Sequence, residues 1–413
     1  MYKSPAIRAG LFFYKQKTTN RIFNYKKMIQ PAHRTQGIRE YYFSVKLKEI
    51  ARMNESGVKV LNLGIGDPDM SPSAETWDTL KTACLHPKSH GYQSYQGIPA
   101  LREGFSKWYK NYFNVDLNPA NEILPLIGSK EGIMITSLAY LNEGDEVLIP
   151  DPAYPTYKSV TNLLGGKIIN YALSEDKNWQ PDFESLEKRD LGKVKMMWVN
   201  YPHMPTGARA TRELLEKIVA FGKKHKILII NDNPYSFILN DEPLSILSIE
   251  GAKDYCLELN SLSKSHNMPG WRVGMVGGSE KMLEAVLKVK TNMDSGMFYP
   301  VQQAAIKALS LDQSWYDSIN KVYLKRRDIV FQLLDLLQCN PSVDQTGMFV
   351  WAAIPKNYKD CYALSDDILR NHKVFITPGG IFGDQGKQYI RISLCSSESV
   401  FTEAIERIKK ELV

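Results

Sequence analysis

Residues 227–235 read Ile-Leu-Ile-Ile-Asn-Asp-Asn-Pro-Tyr, a short apolar run that ends in polar residues and a proline. Four consecutive apolar residues suit a strand buried on both faces, and Thr211–Gly222 before them carries apolar residues at helical spacing. Similar alternation extends over residues 120–290. It gives the further predicted strands Glu146–Pro150, Lys167–Tyr171, Lys195–Val199, Tyr255–Leu259 and Val273–Val276. The pattern predicts an α/β fold whose mostly parallel sheet is covered by helices on both faces.

The remainder of the chain predicts a smaller α+β domain. Residues 301–340 have a helical pattern, 347–351 and 389–393 are predicted strands, and 398–412 form a predicted closing helix. We expect a basic extension over 1–27, an N-terminal arm belonging to the small domain over 28–70, a large ligand-binding domain over 71–300 and a small C-terminal domain over 301–413.

Composition and charge restrict the classes of partner. The 413 residues are 43% hydrophobic and 23% charged, and no apolar run reaches the length of a membrane helix. The net charge of +7 comes from residues 1–27, so the body is neutral and lacks the basic surface that nucleic acid requires. Five scattered cysteines favour reduced thiols and a cytoplasmic location, and the seven histidines show no metal-ligand spacing. The expected ligand is a small molecule.

Residues 1–27 permit two interpretations. An acid-free segment with seven basic residues is typical of an organelle-targeting peptide. It also fits translation from an upstream start codon, with Met28 as the true beginning; this is the reading we favour, because the segment has only a poor amphipathic repeat.

Reactive side chains follow several predicted strands. In open α/β sheets the carboxyl ends of the strands form the ligand-binding edge. The residues expected there are Asn200, Asp232, Tyr235, Ser261, Ser263, Lys264 and Arg272, together with Ser129 and Lys130 at the start of a predicted helix. They combine an acid, a phenol, an amine, a guanidinium and a helix N-terminus that favours anions.

Taken in order, these motifs resemble those of the class I/II aminotransferases, which use pyridoxal 5'-phosphate and have the type I fold with a seven-stranded sheet. The matching segments are Gly64-Ile-Gly-Asp-Pro-Asp69, Tyr92 before Gly97-Ile-Pro-Ala-Leu-Arg102, Asp151-Pro-Ala-Tyr154-Pro, Asp232-Asn-Pro-Tyr235, Ser261-Leu-Ser-Lys264, Asn267-Met-Pro-Gly-Trp-Arg272 and Arg391. The resemblance covers residues 35–413 and implies an aminotransferase in amino-acid metabolism.

The resemblance implies a catalytic centre around Lys264. This lysine would hold the cofactor as an imine and then act as general acid and base, which requires a lowered pKa. Asp232 would pair with the pyridinium nitrogen, and Tyr235 would donate to the 3' oxygen. Taken singly, Lys264 fits a surface lysine, Asp232 a turn residue and Tyr235 a packed phenol. The ordered set favours the catalytic roles.

Further cofactor contacts are implied at the phosphate and the ring. Ser129, Lys130, Ser261, Ser263 and Arg272 would bind the phosphate. Tyr92 would add its hydroxyl from the other subunit, which implies a homodimer with shared active sites. Tyr154 would stack on the pyridine ring, although core packing beside two prolines also explains it.

Substrate binding is assigned to Arg391, Gly66 and Asn200. An arginine within the apolar strand Tyr389–Ser393 needs a partner, either an internal acid or the substrate α-carboxylate that the resemblance implies. One departure concerns Met204, which stands where the family has an asparagine that binds the 3' oxygen and the carboxylate. A thioether is at most a weak acceptor. The sequence leaves open whether Asn200 or His203 takes over, or whether Tyr235 alone remains.

These residues predict transfer of an amino group from an L-amino acid to a 2-oxo acid, with 2-oxoglutarate as the expected acceptor. The motifs resemble most the aspartate, aromatic and LL-diaminopimelate aminotransferases. Arg39 is a candidate for binding a second carboxylate, and Asn292–Tyr299 for lining the partner's site. A pyridoxal-phosphate-dependent C–S lyase on the same fold is the alternative enzyme. A non-catalytic sensor is disfavoured because the 27-residue extension is too short for a DNA-binding module.

Overall fold

Strands and helices alternate along residues 29–36, 42–342 and 344–410, the part of the chain that the computed structural model describes. The strands are β1 Leu61–Asn62, β2 Ile123–Leu126, β3 Glu146–Asp151, β4 Lys167–Ala172, β5 Val194–Val199, β6 Leu228–Asp232, β7 Cys256–Ser261, β8 Gly274–Gly277, β9 Asn340–Pro341, β10 Phe349–Ala353, β11 Val374–Phe375, β12 Thr377–Pro378 and β13 Tyr389–Ser393. The helices are α1 His33–Gln36, α2 Tyr42–Glu55, α3 Ala74–Cys84, α4 Pro99–Phe113, α5 Ser129–Tyr140, α6 Pro155–Leu163, α7 Phe183–Glu187, α8 Arg212–His225, α9 Leu262–Ser265, α10 Glu280–Lys290, α11 Tyr299–Leu309, α12 Gln313–Leu336, α13 Cys361–His372 and α14 Glu398–Lys409.

A seven-stranded sheet forms the larger layer, in the order β2-β8-β7-β6-β5-β3-β4. Neighbours from β7 through β4 run parallel, whereas β8 is antiparallel to both β7 and β2. The expected mostly parallel, seven-stranded α/β fold is therefore confirmed.

Helices cover both faces of this sheet, as the continuous apolar strands predict. Along β3, Val147 and Ile149 belong to one buried cluster and Leu148 to the other, because alternate side chains point to opposite faces. Helix α8 covers the Leu148 side; the Thr211 side chain accepts from the Leu214 backbone N–H at its start, and it ends at Lys226 in the left-handed conformation.

The C-terminal residues form two smaller sheets. One has the order β12-β13-β10-β9 and is antiparallel, with Arg391 of β13 opposite Trp351 of β10 and Thr377 of β12. The other pairs β1 with β11 in parallel, which attaches the segment after α2 to this region. Lys46 of α2 forms an ion pair with Asp366 of α13 at 2.9 Å. Helix α2 is thereby held against the C-terminal part of the chain.

The short strands β1, β9, β11 and β12 were not predicted, and two longer elements also differ from the sequence predictions. Strand β2 was not predicted, since it has four residues and includes Pro125; it lies at the sheet edge and pairs only with β8, where the missing N–H of proline is tolerated. The predicted helix over 301–340 is wrong as one element. It is divided into α11 and α12, because Asp312 caps a new helix by accepting from the Ser314 backbone N–H at 3.0 Å.

None of the helices in the described ranges combines the length and apolar character needed to cross a membrane.

Candidate active site

A cavity of about 1000 Å³ lies where β5, β6 and β7 end. Strand β6 ends at Asp232 and β7 at Ser261, while Asn200 follows β5 directly. The sequence-predicted residues that line the cavity are Gly66, Ser129, Lys130, Tyr154, Asn200, Asp232, Tyr235, Ser261, Ser263, Lys264, Arg272 and Arg391. Residues separated by more than 300 positions in the chain thus meet at one edge of the sheet, the position that the fold favours for a ligand.

Lys264 presents its amine inside this cavity from the short helix α9. Its Nζ donates a hydrogen bond to the carbonyl oxygen of Gly66 at 2.6 Å. Burial lowers the pKa of this amine, with Arg391 and Arg272 acting in the same direction and Cys395 and Asp67 opposing them. A lowered pKa increases the fraction of the neutral amine, which is the form that attacks a carbonyl and accepts a proton.

Asp232 is a buried carboxylate with one oxygen available to a ligand. Its Oδ2 accepts from the Tyr157 hydroxyl at 2.8 Å, while Oδ1 is buried without a hydrogen-bond partner among the described residues. Burial raises the pKa of Asp232 to about 6, and the bond from Tyr157 partly offsets this shift. A cationic N–H group placed against Oδ1 would satisfy it. The Tyr157 ring is in turn stacked on Trp198, with ring centroids 4.6 Å apart.

The part of the cavity lined by Ser129, Ser263 and Arg272 is suited to a phosphate. Gly128 precedes α5 at φ +80°, and a Cβ on it would lie 2.1 Å from Nη2 of Arg272, so glycine lets the guanidinium approach the helix start. The Ser261 hydroxyl donates to that of Ser263 at 2.9 Å. Together these groups surround the N-terminus of α5 with hydroxyl and cationic donors.

Arg391 is buried among aromatic rings on β13. Its guanidinium carbon lies 3.9 Å from the ring centroid of Phe349, 4.7 Å from that of Phe382 and 5.7 Å from that of Phe43. Its Nη2 donates to the carbonyl oxygen of Gly64 at 2.8 Å. The rings fix the plane of a cation in an apolar setting, where a carboxylate is bound strongly by a planar pair of donors.

Tyr154 and Tyr235 line the same cavity as Asp232. Tyr154 immediately precedes α6 and meets Tyr157 edge to face, with centroids 5.7 Å apart. Tyr235 packs against Phe349 at 5.8 Å, and burial raises the pKa of its phenol, so the hydroxyl stays protonated as a donor.

Met204 lies next to the guanidinium of Arg391, with Sδ 3.3 Å from Nη1. Asn200 lines the cavity, but its Oδ1 accepts from the Met204 backbone N–H at 2.8 Å and its Nδ2 donates to the Asp232 carbonyl. His203 is buried, bonds to Thr206 through Nδ1 at 2.8 Å, and is not among the residues lining the cavity. Of the three alternatives left open by the sequence, the geometry favours Tyr235 as the remaining donor.

Tyr92 is the predicted site residue that lies outside this cavity. It is 93% exposed and does not line the cavity. Arg39, the candidate for a second carboxylate, lies outside the described residues. Met293 and Phe298, within the candidate segment 292–299, are about half exposed.

Sequence reasoning missed one wall of the cavity. Helix α2 contributes Phe43, Ser44, Leu47, Lys48 and Ala51. Their i, i+1, i+4, i+5, i+8 spacing marks one helical face, which was the available signal. Tyr157 and the three rings around Arg391 were also missed, because single aromatic residues do not distinguish a site from a core.

These features fit pyridoxal 5'-phosphate. The available Asp232 oxygen suits a protonated pyridine nitrogen, the Gly128–Arg272 end suits a phosphate, and the Lys264 amine lies in the cavity that contains both ends.

Comparison with known proteins shows to which family the chain is similar. The sequence pattern of the family described as aminotransferase class I and II matches residues 58–408. The LL-diaminopimelate aminotransferase of Natranaerobius thermophilus is 40% identical over 382 residues, covering 92% of this chain and 99% of that protein. The corresponding protein of Aquifex aeolicus is 38% identical, covering 92% and 99%. The apo structure of BacF from Bacillus subtilis has a TM-score of 0.90 at 34% identity, covering 94% of this chain and 99% of that one.

Proposed function

The chain belongs to the family of class I and II aminotransferases, and from this premise we propose that its donor is LL-diaminopimelate. It is a pyridoxal-phosphate-dependent aminotransferase that moves an amino group from an L-amino acid to a 2-oxo acid. The observation that carries the chemistry is the single cavity containing the Lys264 amine, the available Asp232 oxygen and the Arg391 guanidinium.

Each residue has a task that follows from its surroundings. The cofactor, when bound, takes up the electron pair left at the substrate's α-carbon and carries the amino group between the two substrates. Arg391 binds the α-carboxylate of both substrates, which fixes the α-carbon in the cavity. Lys264, whose pKa is lowered by burial, would hold the cofactor through its amine and moves the proton of the substrate's α-carbon as base and acid. Asp232 would pair with the ring nitrogen through Oδ1 and hold it in the protonated form.

The α2 wall supports a donor whose side chain carries both methylene groups and a polar group. Leu47 and Ala51 offer apolar contact to a methylene chain, while Ser44 and Lys48 add a hydroxyl and an ammonium. LL-diaminopimelate carries a second carboxylate that suits an ammonium group, and the relatives named above act on it by name. We propose 2-oxoglutarate as the acceptor on the same grounds, because it too has a distal carboxylate.

We further propose a homodimer with shared active sites. Tyr92 is almost fully exposed. Leu85 is mostly exposed, and Met293 and Phe298 are about half exposed. Phe298 lies beside His90, with ring centroids 6.1 Å apart, so part of this surface adjoins the segment that leads into Tyr92. Exposed apolar groups of this kind favour a protein interface.

The test is an absorption titration of the pure protein with single amino acids in the absence of any oxo acid. We expect the band of the lysine-bound cofactor to bleach with LL-diaminopimelate and to return on adding 2-oxoglutarate. Bleaching by another donor alone would contradict the donor assignment. Accumulation of pyruvate and ammonia or a thiol with an unchanged band would contradict transamination and favour the C–S lyase.

A further inference from the structure

Lys290, the last residue of α10, is a buried cation outside the cavity. Its side chain is 3% exposed and contacts two carboxylates that are each 13% exposed. The Nζ atom lies 3.4 Å from Oε1 of Glu131 and hydrogen-bonds Oδ2 of Asp294. We refer to Lys290, Glu131 and Asp294 as the Lys290 triad. Burying three charged groups is costly, and here the cost is offset because Lys290 contacts both carboxylates.

The first arm of the triad reaches the predicted phosphate site. Glu131 lies in the first turn of α5, and its Oε2 accepts from the Ile127 backbone N–H at 2.5 Å. Ile127 immediately precedes Gly128, the residue that Arg272 approaches. Lys290 therefore fixes the carboxylate that in turn fixes the loop leading into the phosphate-binding end of α5.

The second arm reaches the segment that carries Tyr92. Asp294 Oδ1 accepts from the Gly296 backbone N–H at 2.8 Å. Gly296 has φ +88°, and a Cβ placed on it would lie 2.5 Å from the carbonyl oxygen of Gln93. The Gly296 backbone is thus in close contact with the residue that follows Tyr92, and only glycine permits this approach.

We propose that Lys290 is a positioning residue for cofactor phosphate: through Glu131 it sets the phosphate-binding end of α5, and through Asp294 it sets the loop beside Tyr92. The second half rests on the proposed dimer, in which Tyr92 serves the partner's phosphate site. Lys290 also offsets one of the two carboxylate charges beside α5, and this reduces their repulsion of a phosphate dianion. The triad links the two parts from which each phosphate site is assembled.

The test compares two forms of the cofactor on the full-length chain, freed of cofactor and then reconstituted. Binding of pyridoxal 5'-phosphate and of pyridoxal, which lacks the phosphate, is followed by absorption of the lysine-bound form. For Lys290→Met we expect the Kd of pyridoxal 5'-phosphate to rise by about tenfold or more, and that of pyridoxal to change by less than about twofold. Lys290→Arg keeps the charge. In this variant the Kd of pyridoxal 5'-phosphate should return most of the way to the wild-type value.

Lys288→Met is the matched control. Lys288 lies on the same helix and pairs with Glu284 at 2.9 Å, but its side chain is 74% exposed. We expect both dissociation constants to stay unchanged in this variant. Equal weakening of both cofactor forms by Lys290→Met would indicate a general structural role and overturn the proposal, as would no change in either.

Gly296→Ala tests the second arm without altering any charge. The added methyl group must displace the Gln93 segment, and we expect a selective loss of pyridoxal 5'-phosphate affinity here as well. Unchanged affinity in this variant would overturn the proposed role of Asp294. This test can be made even if Lys290→Met does not fold. A wild-type chain that binds neither cofactor form would contradict the proposed function itself, whereas normal wild-type binding with unselective variants contradicts only the role of the triad.

Discussion

Arg391 illustrates how a single side chain can be specified by both charge and shape. Its guanidinium is flanked by the rings of Phe349 and Phe382 and bonded to the Gly64 carbonyl. Lysine would keep the charge but lose the planar pair of donors and the stacking on the rings. The site therefore requires arginine and not merely a cation.

Arg391→Lys should accordingly weaken binding of both substrates. A charge-assisted pair of this type contributes about 1.5–3 kcal/mol, so we expect KM to rise about 10- to 100-fold for donor and acceptor alike. The absorption spectrum of the bound cofactor should stay unchanged. Steady-state kinetics of both half-reactions measure this change in KM. Arg209→Lys is the control, because Arg209 forms an ion pair with Asp344 and does not line the cavity. An effect on only one substrate would contradict a shared carboxylate site.

The raised pKa of Asp232 predicts that the stability of the cofactor-free chain depends on pH. Burial raises its pKa from 3.8 to about 6, so the folded state binds a proton more tightly than the unfolded state. The charged carboxylate therefore destabilises the fold fully above pH 6, and this penalty disappears as the pH falls toward 4. Its upper limit is about 3 kcal/mol, the difference between the two pKa values at 1.36 kcal/mol per unit.

Asp232→Asn should remove that penalty. We expect urea denaturation to show the cofactor-free variant more stable than the wild type at pH 8, with the difference reduced to about half at pH 5. Greater stability of the wild type at pH 8 would show that the carboxylate is stabilised by groups other than Tyr157. The same variant should bind the cofactor poorly, because the amide lacks the charge that pairs with a ring N–H cation.

At the residue scale the motifs predicted which polar groups meet in the cavity but not what surrounds them. Asp232, Lys264 and Arg272 were identifiable because each follows a strand end in a recognisable order. Phe43 and Tyr157 were not, since their roles depend on packing between elements distant in sequence. The consequence of Met204 likewise required geometry, because only the structure shows Asn200 already bonded to backbone groups.

Helix caps determine several boundaries at the scale of elements. Asp360 precedes α13, and its Oδ1 accepts from the Tyr362 and Ala363 backbone N–H groups at 3.0 Å each. Ser397 occupies the same position before α14 but makes no such side-chain bond. The two residues form a natural pair for comparison.

Asp360→Ala should cost about 1 kcal/mol of unfolding free energy, whereas Ser397→Ala should cost a few tenths at most. Urea denaturation of the two variants measures the difference. Equal losses of unfolding free energy would show that the two hydrogen bonds accepted by the Asp360 side chain do not stabilise the protein. Because α13 also holds Lys46 of α2 through Asp366, Asp360→Ala should raise KM modestly as well.

Elements were predictable where hydrophobic periodicity was long and undisturbed. The central strands of the sheet have the expected positions within one or two residues, because apolar runs buried on both faces are distinctive. Strand β2 and the division between α11 and α12 were not anticipated. A four-residue edge strand carries too little pattern, and the break at Asp312 depends on a single cap.

The whole molecule is expected to function as a pair of chains. Tyr92 cannot serve the cavity of its own chain in the described structure, where it is exposed to solvent and absent from the cavity lining. A hybrid dimer tests this arrangement directly. One protomer carries Lys264→Ala and the other Tyr92→Phe, so that under the shared-site arrangement one site contains both changes and the other contains neither.

The hybrid should recover about half of the wild-type activity at limiting cofactor. The Tyr92→Phe homodimer should bind pyridoxal 5'-phosphate about tenfold more weakly, as loss of one hydrogen bond of about 1.4 kcal/mol implies. The Lys264→Ala homodimer should be inactive. If Tyr92 served its own chain, one site of the hybrid would carry Lys264→Ala and the other Tyr92→Phe, so neither would be intact. At limiting cofactor the hybrid would then show the same weakened cofactor binding as the Tyr92→Phe homodimer.

The central claim concerns the whole site, namely that Lys264 is the amine that holds the cofactor. Reduction of the holoenzyme with borohydride, followed by proteolysis and mass spectrometry, tests it most directly. The account predicts one stable pyridoxyl modification, located on Lys264, and none in the Lys264→Ala variant. Modification of another lysine, such as Lys48 or Lys130 in the same cavity, or the absence of any modification, would contradict it.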